Sequence, residues 1–365
     1  MRWNTKLVNL SVIGLRGFPG IEGGVERHCE SLYPKLKGDI NVTIYRRKPY
    51  VSTGGSYNNI HFVDFPSTKT KGLEPFFHSF LASVHAMLKK PDVVHYHNIG
   101  PALFSPIMKL RSIPVMLTYH SPNYEHKKWG RLGRKVLLLS EKIALRTADY
   151  IIFVNKFQME KYDGDVRKKS VYIPNGINDM SVSLSTAYLE ELGLMKKKFI
   201  LSVGRITQEK GFDTLIKAYK LTRHEGFKLV IVGGVEFENR YMKELEELSR
   251  DEDIVFTGYI FGDRLYQLYT YAALYVLASN NEGFPLVLLE AMKYGLDVIV
   301  SDIPATHLVG LNKDDYFKTG DFEELADKIT KRIKNIRDRE YDLSNYDWKK
   351  IADTTSDIIH EAAGK

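Results

Sequence analysis

The stretch Leu274-Tyr275-Val276-Leu277-Ala278-Ser279-Asn280-Asn281-Glu282-Gly283-Phe284-Pro285-Leu286-Val287-Leu288-Leu289-Glu290-Ala291-Met292 spells out one strand–loop–helix unit. Leu274–Leu277 is a short apolar run and reads as a buried strand. The Asn/Gly/Pro punctuation behind it marks a loop. Pro285 suits the first helical position, where its missing N–H costs nothing, and the apolar pattern runs on to Tyr294. Glycine at 283 lets the backbone approach a ligand closely. Glu282 therefore sits in the loop and Glu290 about a turn and a half into the helix, so two carboxylates can face one site from two heights. Carboxylates accept hydrogen bonds, and sugar and ribose hydroxyls are natural donors to them. The pattern points to a sugar nucleotide.

The same unit recurs outward from this stretch. In the second half, Phe199–Val203, Leu229–Val232, Ile254–Phe256 and Val298–Val300 read as further strands. Phe212–Leu221, Tyr241–Ser249 and Leu265–Tyr271 read as helices between them. In the first half the strands are Leu10–Gly14, Val42–Tyr45, Val93–Tyr96, Val115–Thr118 and Ile151–Val154, with helices Gly24–Leu36, Phe76–Leu88 and Val136–Ala148. Strand–helix alternation gives parallel sheets covered on both faces, with ligands beyond the carboxyl ends of the strands. The expected architecture is α/β, with two Rossmann-like doubly wound domains facing across a cleft. The first spans residues 1–175 and the second 176–345. A C-terminal helix in 346–365 is expected to pack back on the first, and the polar segment Pro174–Ser185 is the natural linker.

Composition agrees with two soluble domains: 365 residues, 44% hydrophobic and 27% charged. The lone cysteine, Cys29, excludes an intramolecular disulfide framework and reads as a buried structural thiol. Met1–Leu15 resembles a leader, but polar Asn9 and Ser11 interrupt it, and it reads instead as a first buried strand. With no apolar run of membrane-spanning length, the expected location is cytoplasmic. Charge divides unevenly. Residues 1–175 carry 27 Lys+Arg against 13 Asp+Glu, while residues 176–365 carry 25 against 32. A basic first half suggests an anionic partner.

Two loops stand out beside the glutamates. Gly14, Gly17, Gly20, Gly23 and Gly24 follow the first strand and open a helix, a setting in which free N–H groups meet an anion. Neither the G-x-G-x-x-G fingerprint nor a Walker loop is present. After the first strand of the second half, Arg205 and Lys210 flank a turn at a helix start, placed to neutralise a departing diphosphate.

Gly204-Arg205 and Lys210-Gly211, followed by Glu282-Gly283-Phe284-Pro285 and Glu290-Ala291, resemble the retaining GT-B glycosyltransferases of family 4. Gly23-Gly24-Val25-Glu26, Thr118-Tyr119-His120, Ala148-Asp149 and Pro174-Asn175-Gly176-Ile177 extend the resemblance over the whole chain. The segments Val93–Phe104 and Glu125–Gly130 resemble the branch that builds bacterial surface polysaccharides (capsule, O-antigen or exopolysaccharide). The resemblance implies a hexosyl transfer with retention from a nucleotide-sugar to a glycan or lipid-linked oligosaccharide acceptor. Arg205 and Lys210 would bind the diphosphate and Glu290 the ribose. Glu282 would contact the transferred sugar, with Gly283, Phe284, Pro285 and Leu286 lining the donor. Gly23 and Gly24 would reach the diphosphate through backbone amides, and His120 would lie near the sugar. His95 and His97 are read as facing opposite ways and receive no site role. No cofactor is implied; the nucleotide-sugar is a substrate, with a UDP-sugar as the default.

Departures from the family pattern are Asn178, where Asp is common, and Ser121-Pro122 after His120, where Gly is common. The Asp-x-Asp pairs Asp163/Asp165 and Asp251/Asp253 sit in charged turns and read as solvated loop, so no metal is expected. Lys127, Lys128, Trp129, Arg131, Arg134 and Lys135 form a basic segment with an aromatic and leucines, suited to the anionic inner face of a membrane or to the acceptor. Nucleic acid is not expected, because no recognised module accompanies the charge. The competing readings are a nucleotide-sugar epimerase of the same plan and a non-catalytic glycan- or nucleotide-binding protein.

Overall fold

The computed structural model describes residues 7–21, 23–51, 56–58, 60–68, 74–122, 124, 130–178, 180–222, 226–235, 240–250 and 253–364. Lys127, Lys128, Trp129 and Asp251 lie outside them. The chain forms two units, Met1–Asn178 together with Ser344–Lys365, and Asp179–Leu343.

The first unit is built on β1 (Val8–Ile13), β2 (Ile40–Arg47), β3 (Ser56–Tyr57), β4 (Ile60–Phe65), β5 (Val93–His97), β6 (Val115–Tyr119), β7 (Tyr150–Phe153) and β8 (Ser170–Tyr172). Their order is β3-β4-β2-β1-β5-β6-β7-β8. All pairings are parallel except β3 with β4. The chain winds outward from β1 to β4, then returns past β1 to lay down β5, so the winding reverses between β1 and β5. The expected list of strands omits β3, β4 and β8. β4 is only partly buried beyond Ile60, so His61 and Asp64 interrupt its apolar signal.

Alternation along the strands feeds two cores. Val8, Leu10, Val12 and Val93 face Cys29 and Leu32 of the helix Gly24–Leu32, and Trp348, Ile351, Ala352 and Ile359 of the helix Trp348–Ala362. Ile13, Val94, Tyr96 and Leu117 face Ala82 and Ala86 of the helix Glu74–Lys89, and Ala144 and Leu145 of the helix Arg131–Thr147. The first of these helices stops at Leu32, short of the expected Leu36. Pro34 has no N–H to continue it, and the chain tightens into a 3₁₀ turn over Tyr33–Lys35. Cys29 is fully buried, and burial with Glu26 nearby pushes its thiol well up, so it stays protonated.

The expected linker begins too early. Asn175 is buried, and Ile177 donates its N–H to the Tyr346 carbonyl at 2.7 Å, so these residues are fixed inside the first unit. A Cβ at Gly176 would lie 2.6 Å from the Trp348 indole, which explains a glycine there without any special backbone angle. Asp347 caps the last helix, accepting from the N–H groups of Lys349 at 2.7 Å and Lys350 at 3.0 Å.

The second unit holds β9 (Phe199–Val203), β10 (Lys228–Val232), β11 (Ile254–Phe256), β12 (Leu274–Leu277), β13 (Val298–Ser301) and β14 (Tyr316–Phe317). The order is β11-β10-β9-β12-β13-β14, all parallel, with the reversal between β9 and β12. β14 and the helix Phe322–Lys334 were absent from the expected elements. Inward residues of β9, β10 and β12 pack with Leu215, Tyr219, Leu325 and Ile329 from the covering helices.

Trp348 is 4% exposed and joins the C-terminal helix to the first core. Trp348→Ala is expected to lower the unfolding free energy of the first unit by about 3–5 kcal/mol in chemical denaturation. A loss below about 1 kcal/mol would contradict this packing role.

Candidate active site

In the second unit, the loops leaving β9 and β12 lie side by side at the reversal, where a doubly wound sheet opens a crevice. Their backbones touch. Gly211 has φ +64°, and a Cβ there would lie 2.1 Å from the Ala278 carbonyl oxygen, so only glycine fits without displacement. Asn280 fastens the second loop to the first: its N–H donates to the Glu209 carbonyl at 2.7 Å and its side-chain amide to the Gln208 carbonyl at 3.2 Å.

This backbone zip brings Lys210 to Glu282. Lys210 Nζ donates to Glu282 Oε1 at 2.6 Å, and Ser279 Oγ donates to the same oxygen at 2.7 Å. The two charged side chains are 19% and 10% exposed, respectively. Arg205 stands exposed at the start of the same loop. Glu290 is the fifth residue of the helix Leu286–Lys293 and accepts from Tyr269 Oη at 2.8 Å. Tyr269 stacks between Tyr275 and Tyr294, with ring centroids 6.2 and 5.3 Å away. Tyr275 is fully buried, and burial together with the charges of Glu290 and Glu282 pushes its phenol well up. Both glutamates thus bear on one buried tyrosine. Pro285 caps the helix instead of opening it, one position earlier than expected, and is buried with Phe284.

In the first unit the carboxyl ends of β1, β5 and β6 converge on histidines. Gly14 has φ +124°, and a Cβ there would come 2.3 Å from the His97 carbonyl oxygen, so β1 leaves the sheet hard against the end of β5. Gly23 precedes and Gly24 opens the first helix, with no side-chain cap on that start. In its first turn, Glu26 accepts from the Arg16 N–H at 3.0 Å and from Arg16 Nε at 3.2 Å. His120 follows β6 directly and is half-buried.

His95 and His97 do not face opposite ways. Strand side chains alternate with period two, so residues two apart share a face, and the two rings are 4.5 Å apart. Tyr33 Oη lies 3.0 Å from His95 Nδ1 and 2.6 Å from His97 Nε2. His95 Nε2 meets Thr118 Oγ1 at 2.7 Å, and His97 Nδ1 meets His120 Nε2 at 2.9 Å. His28, one turn after Gly24, bonds Asn175 Oδ1 through Nδ1 at 2.6 Å, its ring centroid 4.9 Å from that of His120. Burial keeps these imidazoles neutral. It pulls His28 down to about 4 against the opposing Asn175 bond, and His95 down to about 3 with help from His28. His97 and His120 fall well below the usual range, again through burial first and neighbouring histidines second.

Sequence reasoning missed His28, Tyr33, Ser279, Tyr269 and Tyr275. Only His28 carried a usable signal, as a titratable group one turn into the glycine-opened helix. Of the basic segment, Arg131, Arg134 and Lys135 are exposed, and Leu132, Leu138 and Leu139 of the same helix are 77%, 47% and 55% exposed.

Residues 22–180 match the Glycosyltransferase Family 4 model, and residues 186–347 match that of Glycosyl transferases group 1. Sucrose-phosphate synthase from Thermosynechococcus elongatus superposes with TM-score 0.80 at 19% identity, over 97% of this chain and 98% of its own. The chain is a GT-B glycosyltransferase. This glycosyltransferase is also 29% identical to a capsular polysaccharide biosynthesis glycosyltransferase of Staphylococcus aureus, over 56% of this chain and 57% of that protein. HepE of Anabaena, in complex with UDP and glucose, superposes on it with TM-score 0.70 at 18% identity, over 98% and 95% of the two chains.

The buried histidines give the glycosyltransferase a specific acid sensitivity. Below about pH 6.5 the unfolded chain takes up protons that the folded cluster refuses, so stability is lost as pH falls. Between pH 6.5 and 5, above the main carboxylate range, the unfolding free energy should fall by more than the roughly 1.4 kcal/mol per pH unit of a single proton. A flat profile from urea titrations across this window would contradict the neutral cluster.

Proposed function

We propose that the protein moves a hexose from a nucleotide-sugar, with a uridine donor first in line, to a lipid-linked glycan with retention of configuration. The setting would be polysaccharide assembly at the inner face of the cytoplasmic membrane. The observation that carries this reading is the Lys210–Glu282 pair, 2.6 Å long, at the strand reversal beside Arg205. The capsular relative and the complex of HepE with UDP and glucose support the product class and the donor.

The pair has a chemical logic. Without donor, each charge satisfies the other. A diphosphate arriving between Arg205 and Lys210 offers Lys210 a new partner and releases Glu282 to accept from hydroxyls of the sugar. Glu290, held by Tyr269, is placed to accept from the ribose. In the transfer, the bond from the anomeric carbon to the phosphate oxygen breaks. The acceptor oxygen bonds to that carbon on the same face, and its proton passes to the departing phosphate. Arg205 and Lys210 stabilise the charge that develops there. His120 would lie near the sugar, and Gly23 and Gly24 would offer their N–H groups to the diphosphate.

Lys210→Ala and Glu282→Gln are expected to lower transfer by about 100–1,000-fold, the scale for removing one transition-state partner, with wild-type circular dichroism. UDP should raise the melting temperature of the wild type by mass action and do so less for Lys210→Ala. Wild-type turnover in both variants, or no shift with any nucleoside diphosphate, would overturn the reading. An epimerase would consume the donor with no acceptor present.

The exposed Arg131, Arg134 and Lys135 with Leu132, Leu138 and Leu139 match an anionic membrane surface. Replacing all three cations by Glu should weaken binding to phosphatidylserine-containing vesicles by at least about 100-fold, at about 1 kcal/mol per basic residue. Equal sedimentation of wild type and variant would remove the membrane from the proposal.

A further inference from the structure

His28, His97 and His120 each offer one ligand nitrogen, and these nitrogens lie within 4.8 Å of one another. We propose that these three side chains form a binding site for a divalent late transition metal, zinc above all, with the fourth position open to water or an anion. Three neutral imidazoles with one open position are a donor set that suits zinc.

His28 supplies the first argument. Its Nδ1 lies 2.6 Å from the amide oxygen of Asn175, so the proton sits on Nδ1 and Nε2 carries the lone pair. That Nε2 is buried and, among the described residues, has no hydrogen-bond partner, in a residue 3% exposed. A buried lone pair with no donor is costly unless an electrophile fills the place.

The outer bonds supply the second. A metal on His97 Nδ1 leaves the His97 proton on Nε2, which then donates to Tyr33 Oη at 2.6 Å. Tyr33 in turn donates to His95 Nδ1 at 3.0 Å, and His95 Nε2–H donates to Thr118 Oγ1 at 2.7 Å. Every group in this chain is satisfied with one proton each. Fixing the far nitrogen of a ligating histidine in this way orients the ring and raises its basicity. His120 gives up the bond it shares with His97 Nδ1, 2.9 Å long, and carries its proton on Nδ1. Burial already keeps all three imidazoles in the neutral, ligating form, so near neutral pH binding displaces no proton.

The rings need to draw together. Zinc–nitrogen bonds of about 2.0–2.1 Å place tetrahedral ligands about 3.3–3.4 Å apart. His120, in the loop after β6 and half-buried, is the ligand that moves and the side from which solvent supplies the fourth ligand.

The test uses the full chain, stripped with chelator and free of nucleotide, titrated with Co²⁺ and in parallel with Zn²⁺ by calorimetry. One equivalent of Co²⁺ should bind with the intense visible absorption of a four-coordinate ion, and Zn²⁺ should displace it. His28→Gln should lose at least 100-fold in affinity, and Tyr33→Phe about 10–100-fold. Exposed His61→Gln should change nothing. If His28→Gln does not fold, His120→Ala carries the same expectation. Absence of the absorption, or equal binding by the His28 or His120 variant, would reduce any metal to surface association and overturn the site.

Because no donor or acceptor enters this measurement, its failure leaves the transfer reading standing, and the reverse also holds. One consequence does rest on that reading: a metal on His120 removes it from the sugar, so zinc should inhibit transfer and chelator should restore it.

Discussion

A parallel strand buried on both faces can place polar chemistry only where it leaves the sheet, and that constraint organises this molecule. Both sheets reverse their winding beside their first strand, between β1 and β5 and between β9 and β12. The connecting helices there depart in opposite directions, and the loop ends are left uncovered. Each catalytic candidate stands at one of these reversals or one strand away. Tight backbone approaches at Gly14, Gly211 and Gly233 occur where chains leaving adjacent parallel strands run side by side.

The two reversals hold different kinds of chemistry. That of the second unit is charged, with Lys210 and Glu282 neutralising one another over a bed of Ser279 and stacked tyrosines. In the proposed transfer, such a pair would exchange partners when the diphosphate arrives. That of the first unit holds, beside the Arg16–Glu26 pair, imidazoles kept uncharged by burial and tied to one another. Charge compensation suits a departing diphosphate. A neutral imidazole cluster can accept and donate hydrogen bonds without repelling an electron-poor sugar carbon.

How much of this was legible in the sequence follows from the range of the interactions. Apolar runs such as Val115–Tyr119 and Phe199–Val203 announce themselves because burial on both faces demands it. β4 and β14 did not: β4 is only partly buried beyond Ile60, and β14 is a two-residue strand at the sheet edge. The cations and carboxylates of the second unit were found by type and spacing within single loops. Tyr269 and Tyr275 act across the fold, and no local pattern marks them. His95 and His97 show a different failure: the strand was read, but the face its residues share was misjudged. The polar run after Pro174 looked like a free linker because its anchor, Trp348, lies far along the chain.

That anchor has a consequence for biosynthesis. The face of β1 that carries Val8, Leu10 and Val12 is completed by Trp348, Ile351 and Ile359. The strand leaves the ribosome long before its cover. The second unit is one continuous segment, Asp179–Leu343, and can close while the first still waits. Synthesis therefore runs against the usual order in which amino-terminal domains finish first. Until residue 359 emerges, an apolar sheet face stands open to chaperones and to neighbouring nascent chains.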